Sequence, residues 1–495
     1  MFSITGIIFA TICIGEVTDL FVRPRTSRGR WYRSSATLPL RAGMSAALTG
    51  CALLLCGTTE CALPLSCGAM LAVTIGSNLK YATLGEPLIF SDVVVARSFV
   101  LYPRFYLDAV PPFLRAILVI LAFPAVFLLV RESRLHLTMR LTGLALAAGG
   151  LAASLLWARL LIRRGLMTNP DTDHDVSRHG LVPVLIIYWL RWRASRPLPP
   201  VPPVERVPGA STPDILIIVQ CESFADVMHG THSLPDPVLP GLIMSRQTAL
   251  AWGDLLVSGF GAYTMRTEYG VLCGREETEL GFRRFDPFLT ARDDTTCALP
   301  HRLANLFPRA VFVHPHDLRF YNRDALMPSL GFTSVIGEEQ FAGAPHDGPY
   351  VSDAALGDRL AGIISEATEP TLIYAVTMEN HGPWAAGRAG QEDALAAWTH
   401  HVQTGDRLLV SLNKTLEARK QNALLVFFGD HRPSVPGQIM PGREKHTPFI
   451  IKRFSSTGTQ SHTLATPCAY TPAGLHRLIV RILSDQNGKS GSTLR

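Results

Sequence analysis

The chain has 495 residues, 47% of them hydrophobic and 17% charged, where an ordinary soluble domain carries about 25% charged residues, and this balance argues against a purely soluble protein. Its 40 Gly and 35 Pro follow no period, which excludes collagen-like, solenoid and low-complexity classes. The net charge of +6 comes from basic residues gathered near apolar stretches rather than in a stripe with stacking aromatics, so a membrane is the expected partner and nucleic acid is not.

Long apolar runs sit at 4–21, 36–56, 61–77, 112–130 and 139–162, and a crossing of the hydrocarbon needs roughly 20 such residues. The first run carries Glu16 and Asp19, and the third is short and rich in small residues. Met1-Phe2-Ser3 lacks the basic start of a cleavable signal peptide. The Arg-rich loops holding Arg23, Arg25, Arg28, Arg30 and Arg33, and Arg131, Arg134 and Arg140, are expected on the cytoplasmic side. Taking 61–77 as non-crossing satisfies both loops with four spans, and counting it as a fifth still leaves everything after Arg163 outside. Residues 1–165 therefore read as a multi-span transmembrane domain of four or five spans.

Next, Leu181 to Trp192 is too short to cross, but its end supplies Tyr188, Trp189, Arg191, Trp192 and Arg193, the mixture favoured at a headgroup interface. The Pro-rich stretch Pro197 to Pro208 cannot join a core. Together, 166–212 reads as an interfacial helix and a linker.

From Pro213 the pattern changes to short β-branched runs between helical stretches: Asp214–Gln220, Ala310–His314, Thr371–Thr377, Ala423–Phe428 and Pro448–Ile451. Near-continuous apolar strands alternating with helices predict an α/β domain, 213–495, with a mostly parallel sheet covered by helices on both faces. Ligands bind outside the carboxyl ends of such strands, so the residues directly after them carry the argument. Of the nine Cys, Cys13, Cys51, Cys56, Cys61 and Cys67 fall in or beside apolar spans. Cys221, Cys273, Cys297 and Cys468 fall in the α/β domain, where spacing cannot choose a pairing.

The first strand runs into Cys221-Glu222-Ser223-Phe224, and the strand Ala423–Phe428 runs into Gly429-Asp430-His431. Two carboxylates and an imidazole at strand ends can hold a divalent cation with a position left open. A third segment, Gly259-Phe260-Gly261-Ala262-Tyr263-Thr264, frees the backbone with glycines and then opens a helical stretch with a hydroxyl. A Thr hydroxyl needs a base or a metal to become a nucleophile; read blandly, Thr264 is an N-cap.

Taken in order, Glu222, the run Thr264-Met265-Arg266-Thr267-Glu268-Tyr269, Phe320-Tyr321-Asn322-Arg323-Asp324, Glu379-Asn380-His381-Gly382-Pro383-Trp384 and Gly429-Asp430-His431 resemble the blocks of lipoteichoic acid synthases and related phosphoglycerol transferases, within the alkaline phosphatase/sulfatase superfamily. The segment Asn78–Lys80 and the run Glu86 to Asp92 are similar to the membrane region of the same bacterial relatives. The resemblance implies one divalent ion, Mn²⁺ before Zn²⁺ or Mg²⁺, held by Glu222, Thr264, Asp430 and His431, with Thr264 as nucleophile. It implies a donor pocket lined by His314, Tyr321, Arg323 and His381, with Arg323 forking onto a phosphate and His381 as general acid or base. Tyr321 replaces a Trp and Arg266 an acidic residue of those synthases. His316 and His446 receive no role, although His446 could lie near the metal. The absence of a Cys/Ser-x-Pro-x-Arg run disfavours a formylglycine sulfatase.

The expectation is an enzyme of the cytoplasmic (inner) membrane that moves phosphoglycerol from a membrane phospholipid to a glycan or lipid acceptor outside. The rivals are a phosphoethanolamine transferase of the same superfamily and a non-catalytic membrane scaffold.

Overall fold

The computed structural model describes residues 3–25, 33–93, 137–205, 212–226, 239–442, 444–455 and 466–484. The apolar run 112–130 and most of the two Arg-rich loops lie outside them. The chain divides into two units, Met1–Ser195 and Arg196–Arg495.

In the first unit, α1 (Ile4–Leu20), α2 (Leu38–Cys56), α3 (Thr59–Leu84) and α4 (Leu137–Arg163) are followed by the short α5 (Thr172–His179) and α6 (Leu181–Arg193). Among the described residues, three helices, Ser35–Cys56, Thr59–Leu84 and Leu137–Arg163, are long and apolar enough to cross a membrane. The run 61–77 is thus part of a 26-residue helix rather than a short segment. The helix continues past the apolar pattern because its polar residues find partners: Asn78 donates to the Phe21 carbonyl at 3.0 Å and accepts from the Arg23 N–H at 2.7 Å, and Lys80 reaches Asp92 at 2.6 Å.

The acidic residues of α1 are also paired. Arg41 grips Glu16 with two bonds of 2.8 Å, and Arg33 meets Asp19 at 3.1 Å, which removes the cost of charges among apolar helices. Helices α2 and α4 approach to backbone contact. A Cβ on Gly50 would lie 2.3 Å from the Ala147 nitrogen, and one on Gly143 would lie 2.5 Å from the Leu54 nitrogen, the small-residue packing that joins helices where no water drives association. Helix α6 buries Leu181, Pro183, Val184, Ile187 and Tyr188 within this unit.

The second unit is built on one eight-stranded sheet. Its strands are β1 (Ile215–Cys221), β2 (Ala251–Leu256), β3 (Arg309–Val313), β4 (Ser334–Ile336), β7 (Thr371–Val376), β8 (Ala423–Gly429), β9 (His446–Phe454) and β10 (Cys468–Tyr470), in the order β10-β2-β9-β8-β1-β7-β3-β4. A separate hairpin pairs β5 (His346–Asp347) with β6 (Tyr350–Val351). Strand β9 runs antiparallel to both neighbours, and every other pairing in the large sheet is parallel. The mostly parallel α/β fold expected from the apolar runs is present, and β2, β4 and β10 are additions: β4 and β10 have three residues each, too few to show a pattern, and β2 (AWGDLL) alternates in burial instead of forming an unbroken apolar run.

The register places the site. Ile215 pairs with both Thr371 and Ala423, and Cys221 with Gly429, so β1, β7 and β8 end at one level. All residues of these three strands are buried, as a sheet covered on both faces requires. The strand ends are followed by α7 (Thr264–Cys273), α8 (Arg323–Ser329), α9 (Asp353–Glu366), α10 (Ala394–Arg419) and α11 (Pro472–Ser484) along the chain.

Candidate metal centre

Glu222 follows β1 directly and is 3% exposed. Its N–H donates to Thr377 Oγ1 at 3.0 Å, and its carboxylate accepts from Ser223 Oγ at 3.0 Å. Asp430 follows β8; its Oδ1 accepts from the backbone N–H groups of Ser223 and His431, both at 2.8 Å. Two adjacent strand ends are thereby tied to each other. Gly429 makes the approach possible, because a Cβ there would lie 2.0 Å from the Phe224 carbonyl oxygen.

His431 Nδ1 donates to the Arg432 carbonyl at 3.1 Å, which leaves Nε2 facing the carboxylates, 3.2 Å from Glu222 Oε1 and 3.5 Å from Asp430 Oδ2. A carbonyl on the far nitrogen is how ligating histidines are oriented. One ligand atom from each of Glu222, Asp430 and His431 lies within 4.8 Å of the other two. Thr264 Oγ1 is 3.4 Å from His431 Nε2, so the four residues expected at the metal converge.

Thr264 is the first residue of α7, and Tyr263, with φ of 76°, occupies the cap position. The bland reading of Thr264 as an N-cap is thus corrected: Gly261, at φ 66°, turns the chain so that Tyr263 takes the cap and the Thr264 hydroxyl points to the cluster. Thr267, one turn on, donates to the Asp430 carbonyl at 2.8 Å and supports the same turn.

The electrostatics show a site short of positive charge. Burial alone would lift the Glu222 carboxyl, but the imidazole of His431 holds it down at about 2. Burial and then the Glu222 charge push Asp430 up to about 7. Burial opposes charge on His431, yet the two carboxylates carry it up to about 9. Asp430 Oδ2 is buried without a hydrogen-bond partner among the described residues. Two carboxylates, one of them with this orphaned oxygen, and an imidazole around one point fit a divalent cation with N and O ligands.

Of the residues expected to line a donor pocket, His314 and Arg323 are buried in contact with each other. His314 is 1% exposed; its Nδ1 donates to the Val376 carbonyl at 3.1 Å, and its Nε2 accepts from Arg323 at 3.1 Å. Two further Arg323 donors, on Nε and Nη2, go to Glu268, at 3.3 and 2.5 Å. One edge of the guanidinium, Nε with Nη2, thus forks onto a buried carboxylate. Glu268 escaped the sequence reading although it lies four residues after Thr264, the spacing that puts two side chains on one helix face.

Tyr321 is half-buried with φ of 58°, and the Arg323 guanidinium lies 5.2 Å from its ring. His381, after β7, is part-exposed and donates from Nδ1 to the Gly382 carbonyl at 2.7 Å. Burial lowers its pKa, and the Glu222 charge acts in the opposite direction. Tyr350, unnoticed in the sequence, places its hydroxyl 3.4 Å from His381 Nδ1. His316 packs edge-on against His314 and Tyr350 and is pushed down to about 4 by burial. His446 is a satisfied histidine: Arg432 donates to its Nε2 at 3.0 Å. Arg266 stacks 3.9 Å from the Tyr263 ring centre and donates to the Phe285 carbonyl.

A family profile described as Sulfatase matches residues 214–476, more than half of the chain. The chain belongs to the sulfatase family. This sulfatase-family chain is 27% identical over 419 residues to the capsular polysaccharide biosynthesis protein RkpI of Rhizobium meliloti (strain 1021), an alignment covering 78% of the chain and 76% of that relative. In fold it is similar to the integral membrane lipooligosaccharide phosphoethanolamine transferase A (EptA) of Neisseria meningitidis, with a TM-score of 0.57 and 13% identity over 97% of this chain and 95% of that one. That likeness extends over both units and matches the architecture of apolar helices followed by a sulfatase-like α/β domain.

Proposed function

We propose that the chain is a membrane-anchored, metal-dependent transferase that moves phosphoglycerol from phosphatidylglycerol to a glycan or lipid acceptor outside the cytoplasmic membrane. The observation that carries this reading is the convergence of one hydroxyl, Thr264 Oγ1, on the buried set Glu222, Asp430 and His431 at the ends of β1 and β8. Placement of the α/β domain outside is supported by the Arg-rich loops near apolar helices. A glycan acceptor is supported by the naming of RkpI for capsular polysaccharide biosynthesis.

Glu222, Asp430, His431 and Thr264 would hold the cation, which supplies Lewis acidity that favours the ionised hydroxyl and offsets charge on a phosphoryl oxygen. In the first half-reaction the Thr264 oxygen bonds to phosphorus and the bond from phosphorus to the diacylglycerol oxygen breaks. The Thr264 proton passes to water and the departing oxygen takes one up. In the second, the acceptor oxygen bonds to phosphorus, the bond from phosphorus to the Thr264 oxygen breaks, and Thr264 Oγ regains a proton from water. His381, kept neutral by burial and with Nδ1 engaged by the Gly382 carbonyl, would take the acceptor's proton on Nε2. The role of Arg323 is to hold Glu268 and His314 in place beneath the pocket. Anchoring suits a donor that never leaves the bilayer.

The test is incubation of the purified full chain with head-group-labelled phosphatidylglycerol and, in parallel, phosphatidylethanolamine, followed by mass spectrometry of the product. Label released with diacylglycerol from phosphatidylglycerol alone is expected. Label from phosphatidylethanolamine alone would move the chain to phosphoethanolamine transfer, and turnover of neither would remove the transferase reading.

A further inference from the structure

We propose that Asp347, His400 and His401 form a second cation site, for a divalent transition metal of the zinc class, which straps the hairpin β5–β6 to helix α10. The three residues offer ligand atoms that all lie within 4.8 Å of one another. His400 Nε2 is 2.9 Å from Asp347 Oδ2, and His401 Nδ1 is 3.9 Å from the same oxygen. Two imidazole nitrogens and one carboxylate oxygen, with a position left open, are the donors this class of metal selects over calcium or magnesium. Adjacent histidines on one helix diverge by about 100°, so both reach a common point only because Asp347 is brought over them by the hairpin.

The surroundings favour a cation. His401 is fully buried, and its Nδ1 lies 3.1 Å from a second carboxylate oxygen, Glu379 Oε1. Glu379 Oε2 in turn accepts from the Asp353 N–H at 2.5 Å. Asp353 is 1% exposed, and neither of its carboxyl oxygens has a hydrogen-bond partner among the described residues. Glu379 is also 1% exposed, and carboxylates buried in this way favour positive charge nearby. On its other side the site can be reached: His400 lines an open surface cavity of about 310 Å³ together with Gln391, Asp393 and Gln403, the entry path that a metal site needs.

The consequence is positional. Asp347 pairs in register with Tyr350, whose hydroxyl lies 3.4 Å from His381 Nδ1 and 3.4 Å from the Gly382 carbonyl oxygen. Arg388 lies 5.4 Å from the Tyr350 ring centre and donates to the carbonyls of His381 and Glu379, each at 2.6 Å. A cation joining Asp347 to α10 would fix both ends of this chain of contacts, making Asp347, His400 and His401 positioning residues for His381. The metal site itself does not depend on the transfer reaction; only its effect on His381 does.

The test uses the full chain in detergent, stripped by chelator, reloaded with Zn²⁺ alone and desalted, with bound metal counted by inductively coupled plasma mass spectrometry. Wild type should retain two equivalents, and Asp347→Asn and His400→Ala one each; both side chains are part-exposed, so these variants should fold. The pair Glu222→Gln with Asp430→Asn should also retain one equivalent, and His400→Ala added to it should leave none. In that pair, Co²⁺ should give visible bands that His400→Ala abolishes, with affinity lost by more than the roughly 10–100-fold that removing an outer partner costs. One equivalent in wild type, lost with Glu222 and Asp430 and untouched by Asp347→Asn or His400→Ala, would overturn the second site. Metal lost with His400 but unaffected by Glu222→Gln and Asp430→Asn would uphold it and remove the metal centre of the proposed reaction instead.

Discussion

Replacing Glu268 by Gln should destabilise the α/β unit far more than the loss of one surface charge. Glu268 is 0% exposed and Arg323 1% exposed, and they meet through two bonds of 3.3 and 2.5 Å. Gln fills the same volume and can still accept one bond, so no cavity forms. What is lost is the compensation of a guanidinium that has no water and whose remaining polar partner is the neutral His314 nitrogen. Breaking a buried pair in this way costs about 3–5 kcal/mol, which in a domain of this size lowers the melting temperature by something on the order of 10 °C. The comparison is Asp317→Asn, which removes the partner of the largely exposed Arg319 and should cost about 0–1 kcal/mol. Thermal unfolding of both variants, followed by near-ultraviolet circular dichroism of the second unit expressed within the full chain, gives the two shifts side by side. If Glu268→Gln melts within a degree or two of Asp317→Asn, the buried pair is not the anchor described here. Removing both charges with Glu268→Leu and Arg323→Met should recover much of the loss, because paired removal leaves no uncompensated charge.

Two other expectations follow from single contacts. His476 is buried, donates from Nδ1 to the Val271 carbonyl at 2.9 Å and accepts from Arg302 at 2.9 Å; burial, and then the charges of the arginines, hold it down at about 3 against an ordinary 6.5. The unfolded chain therefore takes up a proton that the folded chain refuses, so the stability is complete above 6.5 and falls as pH drops towards 3. At pH 5 the loss should be about 2 kcal/mol, and denaturant titrations of His476→Gln should lack that pH-dependent part. Gly429→Ala should force apart the ends of β1 and β8, since its Cβ would sit 2.0 Å from the Phe224 carbonyl oxygen. A loss of about 3 kcal/mol, at the upper end for overpacking, should appear in denaturant titration together with loss of bound metal; wild-type stability would show that the strand ends are not in contact.

Much of this architecture is visible in the sequence because apolar strands buried on both faces write themselves as unbroken β-branched runs. β1, β3, β7 and β8 are of this kind, and so is the placement of Glu222, Asp430 and His431 just beyond two of them. What escaped is long-range and polar. The continuation of α3 to Leu84 depends on Asn78 meeting Phe21 and Arg23, some 55 residues away. Antiparallel β9 reads the same as a parallel strand when both faces are covered. Glu268 was legible in principle, four residues beyond Thr264, but nothing local says that its partner is Arg323. Thr267 looks idle in the sequence and in the fold holds the Asp430 carbonyl, which makes it unsuitable as a neutral control for Thr264. Asp347 meets His400 across 53 residues, a separation at which adjacent histidines on a helix carry no signal of their own.

The proposed reaction turns on Thr264 Oγ taking the donor's phosphoryl group. It is tested most directly by mass spectrometry of the protein after brief exposure to phosphatidylglycerol in the presence of metal, using His381→Ala to slow release of the group. Thr264 lies at the head of α7 with Tyr263 in the cap position, so Thr264→Ala should leave the fold nearly unchanged while rate falls by orders of magnitude. The account predicts a phosphoglycerol adduct on the peptide containing Thr264 in His381→Ala, absent when Thr264→Ala is added. An adduct on another residue, or wild-type turnover of labelled donor by Thr264→Ala, would contradict it.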